Sequence, residues 1–148
     1  TANTMPSSLL AIIMTLCLIP LGSTGTWAQT PEAPPAGADQ AGPTLTQAVL
    51  CESIENFQPV NPSAVYPVSQ GTIMCFTAFD VVPRETEIYH VWIKRDERVY
   101  RKRLILKPPR WATVSSIKLR EADKGPWRVE IRDADGQLYA ILRFSITE

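Results

Sequence analysis

Short apolar runs, separated by proline and glycine, fill the C-terminal two thirds of this 148-residue chain. In the clearest run, Val129 and Ile131 alternate with Arg128, Glu130 and Arg132. Alternation with period two is typical of a strand that buries one face and exposes the other. Runs of this kind, rich in β-branched and aromatic residues, occupy residues 45–54, 71–81, 87–94, 99–107, 111–120, 126–133 and 137–147.

Prolines and glycines fall between these runs rather than within them. Because proline cannot donate a hydrogen bond to a strand ladder, this placement leaves each run free to pair. The sequence Asp133-Ala134-Asp135-Gly136 joins two alternating runs and predicts a hairpin turn. A helical pattern is limited to one turn at residues 119–123. The chain therefore predicts an all-β fold, an antiparallel β-sandwich of immunoglobulin-like type with about seven strands.

Both faces of the run at residues 87–94 are apolar. Alternation places Ile88, His90 and Trp92 on one face, and Tyr89, Val91 and Ile93 on the other. This pattern indicates a central strand, with Trp92 in the core and His90 as a hydrogen-bonded structural residue.

The N-terminal region differs from the rest in composition. An apolar run at residues 8–22 is short for a membrane span and is typical of a signal peptide, which predicts cleavage after Ala28. No base precedes the run and the chain begins with Thr1, so we expect either a truncated start or initiation of translation at Met5. Residues 29–43 are rich in proline and alanine and predict a linker, which leaves residues 44–148 as the β-sandwich domain. We expect a periplasmic or secreted protein; the alternative is a membrane anchor formed by an uncleaved N-terminal segment.

Charge is distributed unevenly. All 15 basic residues lie between residues 84 and 148, with ten of the 15 acidic residues. Such asymmetry indicates either an anionic partner or an ordinary domain that follows an uncharged leader and linker. The export signal argues against nucleic acid as a partner.

Two cysteines remain after the predicted cleavage. In an oxidising compartment, Cys51 and Cys75 favour a disulfide; the alternative is two separately buried thiols. Together with His90 they lack the short ligand spacing of a zinc site, so no metal or other cofactor is expected.

Catalytic patterns are weak. His90 is the single histidine, no G-x-S-x-G motif occurs, and no two carboxylates share an apolar setting. We therefore expect a protein that is not an enzyme. The alternative from this class is a minor hydrolase or redox activity that uses His90.

A basic surface offers a more specific hypothesis. Arg101 and Arg103 follow a predicted turn at residues 95–98, and Arg110 precedes Trp111. Bases beside aromatic rings predict binding of an anionic lipid, a glycan or an acidic protein face. The alternative is a solvated edge hairpin whose charges prevent aggregation. Trp111 and Trp127 could also form a sugar-stacking platform, although a tryptophan at the start of a strand is more often part of the core.

Several motifs, taken in order, resemble a known family. They are the two cysteines, the His-x-Trp of EIYHVW, the Arg-Trp and Ser-Ser-x-Lys of PPRWATVSSIKL, and the Gly-x-Trp and Asp-Gly of GPWRVEIRDADG. Over residues 47–147 they resemble the bacterial envelope family "domain of unknown function 2914". The resemblance implies an exported or membrane-attached all-β module and no mechanism, and it adds Ser115 and Lys118 to the binding candidates. Val114 stands where the family pattern has an aromatic residue, which argues against stacking there.

These observations together predict an exported envelope module with a non-catalytic binding or structural role. The binding candidates are His90, Arg101, Arg103, Arg110, Trp111, Ser115, Lys118 and Trp127.

Overall fold

The computed structural model of the chain describes residues 41–148, which form ten strands and two short 3₁₀ turns. The signal peptide predicted at residues 1–28 and residues 29–40 of the predicted linker lie outside this range. Within it, no helix is long and apolar enough to cross a membrane. The strands are β1 (Leu45–Cys51), β2 (Ser53–Glu55), β3 (Gln58–Val60), β4 (Val65–Pro67), β5 (Thr72–Asp80), β6 (Thr86–Lys94), β7 (Glu97–Leu106), β8 (Arg110–Lys118), β9 (Gly125–Asp133) and β10 (Leu138–Thr147).

All seven predicted runs are strands, and their predicted bounds agree closely with β1 and β5–β10. The structure adds three strands of three residues each, β2, β3 and β4, in a proline-rich segment. Their brevity explains why the sequence does not predict them, because a period of two cannot be recognised in three residues. The helical turn predicted at residues 119–123 is the 3₁₀ turn Glu121–Asp123.

Two sheets form the sandwich. The five-stranded sheet has the order β4-β10-β9-β6-β7, and the three-stranded sheet has the order β1-β5-β8. Neighbouring strands are antiparallel except β10 and β4, which are parallel. β2 and β3 form a separate hairpin. The prediction of an all-β sandwich is therefore confirmed, with ten strands rather than about seven.

Tight turns set the register of the main hairpins. Arg95 and Asp96, which join β6 to β7, have φ angles of 46° and 69°. Positive φ at both positions is typical of the type I′ turn, whose twist matches that of the strands in a two-residue hairpin loop. At the other predicted turn, Gly136 has a φ of 87° and its N–H donates to the Asp133 carbonyl oxygen.

Aromatic rings fill the space between the two sheets. Trp92, Tyr66 and Trp127 each contact Phe144, with ring centroids 6.0–6.3 Å apart. The fully buried Tyr66 also donates its hydroxyl to the carbonyl oxygen of Ser63 at 2.9 Å. The prediction that Trp92 belongs to the core is confirmed, since its side chain is fully buried.

The disulfide expected between Cys51 and Cys75 is not present; both cysteines are free, buried thiols. The register gives the reason. Cys51 lies opposite Met74 and Cys75 lies opposite Leu50, so the two positions are offset by one residue on adjacent strands. Since successive side chains of a strand point to opposite faces, one thiol faces the core and the other faces away from it. Of the two alternatives, the structure therefore shows two separately buried thiols.

A buried polar network and an arginine groove

His90 lies at the centre of a polar network between the two sheets. Its Nδ1 is 2.7 Å from Ser115 Oγ, and its Nε2 is 3.0 Å from Thr77 Oγ1. Trp92 Nε1 donates to the same Ser115 oxygen at 3.1 Å, and Thr77 Oγ1 is 2.7 Å from Thr113 Oγ1. These five side chains come from β5, β6 and β8, so they connect the five-stranded sheet to the three-stranded one.

The hydrogen bonds of this network fit both neutral tautomers of His90. The indole N–H of Trp92 can only donate, so the Ser115 oxygen accepts it. With the His90 proton on Nε2, Ser115 donates to Nδ1, the ring donates to Thr77, and Thr77 donates to Thr113. With the proton on Nδ1, these three bonds run in the opposite direction. In either form the ring is neutral and both of its nitrogens have a hydroxyl partner.

Burial keeps His90 uncharged. The side chain is fully buried, which lowers its pKa to about 4. Its two hydrogen-bonding partners are neutral hydroxyls and no carboxylate contacts it, so nothing in the network stabilises an imidazolium. Ser115, although adjacent to a histidine, is also buried and is not presented to solvent. His90 and Ser115 are therefore brought together, but as structural partners inside the core.

The outer face of the five-stranded sheet has the opposite character. Strand register places its residues in three rows across β7, β6, β9 and β10. The rows are Arg103-Tyr89-Arg132-Leu138, Arg101-Val91-Glu130-Ile141 and Arg98-Ile93-Arg128-Arg143. Six arginines thus flank a line of three apolar or aromatic side chains on the central strand β6.

A groove runs along β6 between the arginines of β7 and those of β9. Tyr89, Val91 and Ile93 form its floor, and its volume is about 380 Å³. We call it the arginine groove; its walls and ends are formed by Arg98, Arg101, Glu130, Arg132, Asp133, Ala134, Gly136 and Asp96. Val91 and Ile93 are buried even though they lie on the outer face. Long arginine side chains cover apolar surface with their aliphatic stems while the charged ends stay in water.

The carboxylates of the groove are already engaged. Glu130 accepts from Arg128 Nε at 2.9 Å and from Arg132 Nε at 2.8 Å, and Asp96 accepts from Arg128 at 2.6 Å. Asp133 Oδ1 accepts the backbone N–H groups of Asp135 and Gln137. The acidic side chains therefore hold the wall on the β9 side and its turn in place.

Two guanidinium groups on the β7 wall remain uncompensated. Arg101 lies over the Tyr89 ring, 3.5 Å from its centroid, and Arg98 is the next outward-facing residue across a bulge at Val99. Neither makes an ion pair with any residue between 41 and 148. Stacking on the phenol ring orients the Arg101 guanidinium and leaves its N–H donors available.

Charge also shapes the two glutamates of this face. The Arg103 guanidinium beside Glu87 holds the pKa of that carboxyl below its ordinary value. Burial raises the pKa of Glu130, but hydrogen bonds and charge from Arg128 and Arg132 together outweigh burial, so the net pKa is lowered. Both glutamates are therefore anionic at neutral pH. Glu87 also accepts the hydroxyl of Tyr89, which connects it to the groove floor.

The other basic candidates lie on the opposite sheet. On β8, Arg110 forms an ion pair of 3.0 Å with Asp80 of β5. Trp111, also on β8, is 39 % exposed, and the Lys107 side chain lies over its ring. Arg101 and Arg103, by contrast, are on the outer face of the five-stranded sheet. The structure therefore brings Arg101 and Arg103 together, but does not join them to Arg110 and Trp111.

Lys118 and Trp127 line a smaller cleft with Tyr100. Trp127 is buried, stacks on Phe144 and donates its N–H to the Asp123 carbonyl oxygen at 2.6 Å. Its ring is thus part of the core, and Trp127 does not present the exposed face that the alternative of a sugar-stacking platform with Trp111 requires. Within residues 41–148 no group of three or more histidine, cysteine or acidic side chains could hold a metal ion.

Sequence reasoning did not place Tyr89, Arg98 or Arg132 in a binding site, although all three line the groove. Alternation did place Tyr89, Val91 and Ile93 on one face of β6, and Arg128 and Arg132 on one face of β9. The missing information was that β9 is the neighbour of β6, 33 or more residues further along the chain. No local pattern encodes that pairing.

Residues 85–146 match the model of a family described as "Protein of unknown function (DUF2914)". The predicted family, domain of unknown function 2914, is therefore confirmed for this segment, which contains β6–β9 and all of β10 except Thr147. Cys51 and Cys75, which belonged to the observed resemblance, lie outside the matched residues. No curated protein matches the chain.

Proposed function

From the family match over residues 85–146, which brings no activity with it, and from the outer face of the five-stranded sheet, we propose a non-catalytic binding domain. Its ligand carries an anionic group, such as the phosphate of a lipid or the charged group of a glycan, and binds in the arginine groove. One observation carries this proposal. Arg98 and Arg101 present guanidinium groups without carboxylate partners, directly above an apolar and aromatic floor.

The chemistry of the groove supports an anion rather than a neutral ligand. Guanidinium groups present a planar fork of N–H donors that matches phosphate and carboxylate oxygens. The acidic side chains of the groove are engaged by Arg128, Arg132 and backbone amides, so the donors on β7 exceed the acceptors available to them. The apolar floor adds contact area for the uncharged part of the ligand.

We further propose that this domain acts outside the cytoplasm, in the bacterial envelope. The apolar run at residues 8–22 and the proline-rich segment that follows it support export. The measurement is cell fractionation combined with N-terminal sequencing of the recovered protein. Recovery of the uncleaved chain from the cytoplasm alone would contradict export.

The binding proposal is tested with two charge-matched double variants of the full chain. Arg98→Ala with Arg101→Ala removes the two uncompensated groove arginines. Lys107→Ala with Arg110→Ala removes two positive charges from the other basic surface, beside Trp111. Each protein is applied to a sulfated polysaccharide resin and to phosphatidylglycerol vesicles, with phosphatidylcholine vesicles as the neutral control.

We expect the groove variant to lose retention at an ionic strength of about 0.15 M, at which the wild type and the control variant are still bound. Retention on the resin alone would identify the glycan, and retention on vesicles alone the lipid. Equal weakening of both variants would show that only overall charge matters, and would contradict the groove as the binding site.

A further inference from the structure

We infer that the anionic ligand of this domain is an extended acidic segment of a partner protein, which adds to the five-stranded sheet along β7. This inference rests on the proposed function and deepens it by naming the partner class. Its basis is that the groove arginines and an unpaired strand edge belong to the same strand.

β7 ends the order of the five-stranded sheet, and within residues 41–148 no strand pairs with its outer edge. It is ten residues long, and residues 97–103 are all exposed. Alternate residues of an edge strand direct their backbone N–H and C=O groups away from the sheet. These groups can hydrogen-bond an incoming extended chain, which is how sheet edges bind peptides.

The charge of this edge selects the partner. Four of the six residues from Arg98 to Arg103 are basic. A second copy of β7 would bring bases next to bases. Like charges on facing strands repel, so such pairing is unfavourable. An acidic strand would instead place its carboxylates beside Arg98 and Arg101, and Val99 and Tyr100, 48 % and 40 % exposed, would supply apolar contacts.

The neighbouring edge strand is a useful contrast. β8 ends the order of the three-stranded sheet and is also exposed along most of its length. Its bases, Arg110 and Lys118, are confined to its two ends, and Arg110 is paired with Asp80. β8 therefore offers an open edge without the charge that would attract an acidic strand, and it serves as an internal control.

The experiment uses the full chain and three blocked ten-residue peptides. The first alternates Glu and Val. The second has the same sequence with N-methyl groups on every residue, which removes the backbone N–H donors of both peptide edges and keeps the charge. The third alternates Lys and Val. Binding is measured by fluorescence anisotropy, and the amides of β7 and β8 are followed by hydrogen exchange.

We expect the Glu/Val peptide to bind, the methylated peptide to bind at least tenfold more weakly, and the Lys/Val peptide not to bind. Amides of β7, and not those of β8, should gain protection. Equal binding of the methylated peptide without protection of β7 would overturn strand addition and leave the anion-binding proposal standing. Failure of the Glu/Val peptide to bind, combined with groove-dependent retention on vesicles or resin, would have the same consequence.

Two negative results together would overturn both proposals. They are that the Glu/Val peptide does not bind, and that the variant with Arg98→Ala and Arg101→Ala is retained on resin and vesicles as well as the wild type is.

Discussion

The two faces of β6 satisfy polar groups in opposite ways. On the inner face, His90 and Trp92 hydrogen-bond to hydroxyl groups, and the network carries no charge. On the outer face, Tyr89 and Val91 lie among arginines, where carboxylates neutralise some guanidinium groups and others make no ion pair with residues 41–148. β6 therefore separates a buried, uncharged polar network from a charged network that faces water.

This difference follows from access to water. Inside the sandwich an unpaired donor or a charge is strongly unfavourable, so every buried side-chain polar atom between residues 41 and 148 has a partner. On the outer face water hydrates any guanidinium without a protein partner. A surplus of donors is tolerated only there, which is why we place ligand binding on that face and a structural role on the other.

The largest predicted effect concerns the inner face of β6: acid should lower the free energy of unfolding through His90. The pKa of His90 is about 4 in the folded chain and close to 6.5 when unfolded. Between these values the unfolded chain binds a proton that the folded chain does not, so lowering the pH favours unfolding. The free energy of unfolding should fall by about 3 kcal/mol as the pH drops from about 6.5 to about 4.

Urea unfolding at a series of pH values measures this change in the free energy of unfolding. The variant His90→Gln, which keeps a donor and an acceptor at this position, should lose most of the pH dependence. The titration of the His90 ring, followed by NMR in the unmodified protein, is an independent check. A ring that titrates near pH 6.5 in the folded state would contradict the neutral network.

Ser115→Ala should produce the next largest effect. The change leaves His90 Nδ1 and Trp92 Nε1 without their shared partner inside the core. Each unsatisfied buried group is unfavourable, so we expect the free energy of unfolding to fall by about 2 kcal/mol. Ser116→Ala is the matched control, because Ser116 is exposed and makes no side-chain hydrogen bond among the described residues. Equal loss of stability in both variants, measured by urea unfolding, would argue against a structural role for the network.

Glu130→Gln should have the smallest effect on stability and should affect binding in the opposite direction. The neutral amide weakens the ion pairs with Arg128 and Arg132, which are partly exposed, so the free energy of unfolding should fall by about 1 kcal/mol or less. Affinity for the anionic resin should rise, because the Arg132 guanidinium in the groove loses its carboxylate partner and the net positive charge of this face increases. Salt-dependent elution measures this change, and a weaker retention than that of the wild type would contradict the proposed surface.

Much of the fold followed from local pattern. Alternation predicted seven strands, and it predicted that the two faces of β6 carry different side chains, because strand periodicity depends only on the chain itself. The strands β2, β3 and β4 were missed because three residues carry no period. The disulfide expected from the even pair of cysteines failed on register, which a count of cysteines does not contain.

The candidate site was less accessible to sequence reasoning. Arg101 and Arg103 were recognised because they follow a turn in the sequence, and Arg110 and Trp111 were grouped with them because a base stands next to an aromatic residue there. The structure separates these pairs because the chain crosses from one sheet to the other between β7 and β8. Conversely, Arg132 faces the groove across from β7 although it lies about 30 residues away in the chain.

The sequence by itself determined the seven longer strands, which of their side chains share a face, and that the positive charge lies in the C-terminal half. Each of these depends on local spacing or on composition. Only the tertiary structure decided that β9 lies beside β6, that Ser115 reaches His90 from the opposite sheet, and that β7 ends the order of its sheet within residues 41–148. Those outcomes depend on pairing between distant strands, which is settled by packing of the whole core and is encoded in no single segment.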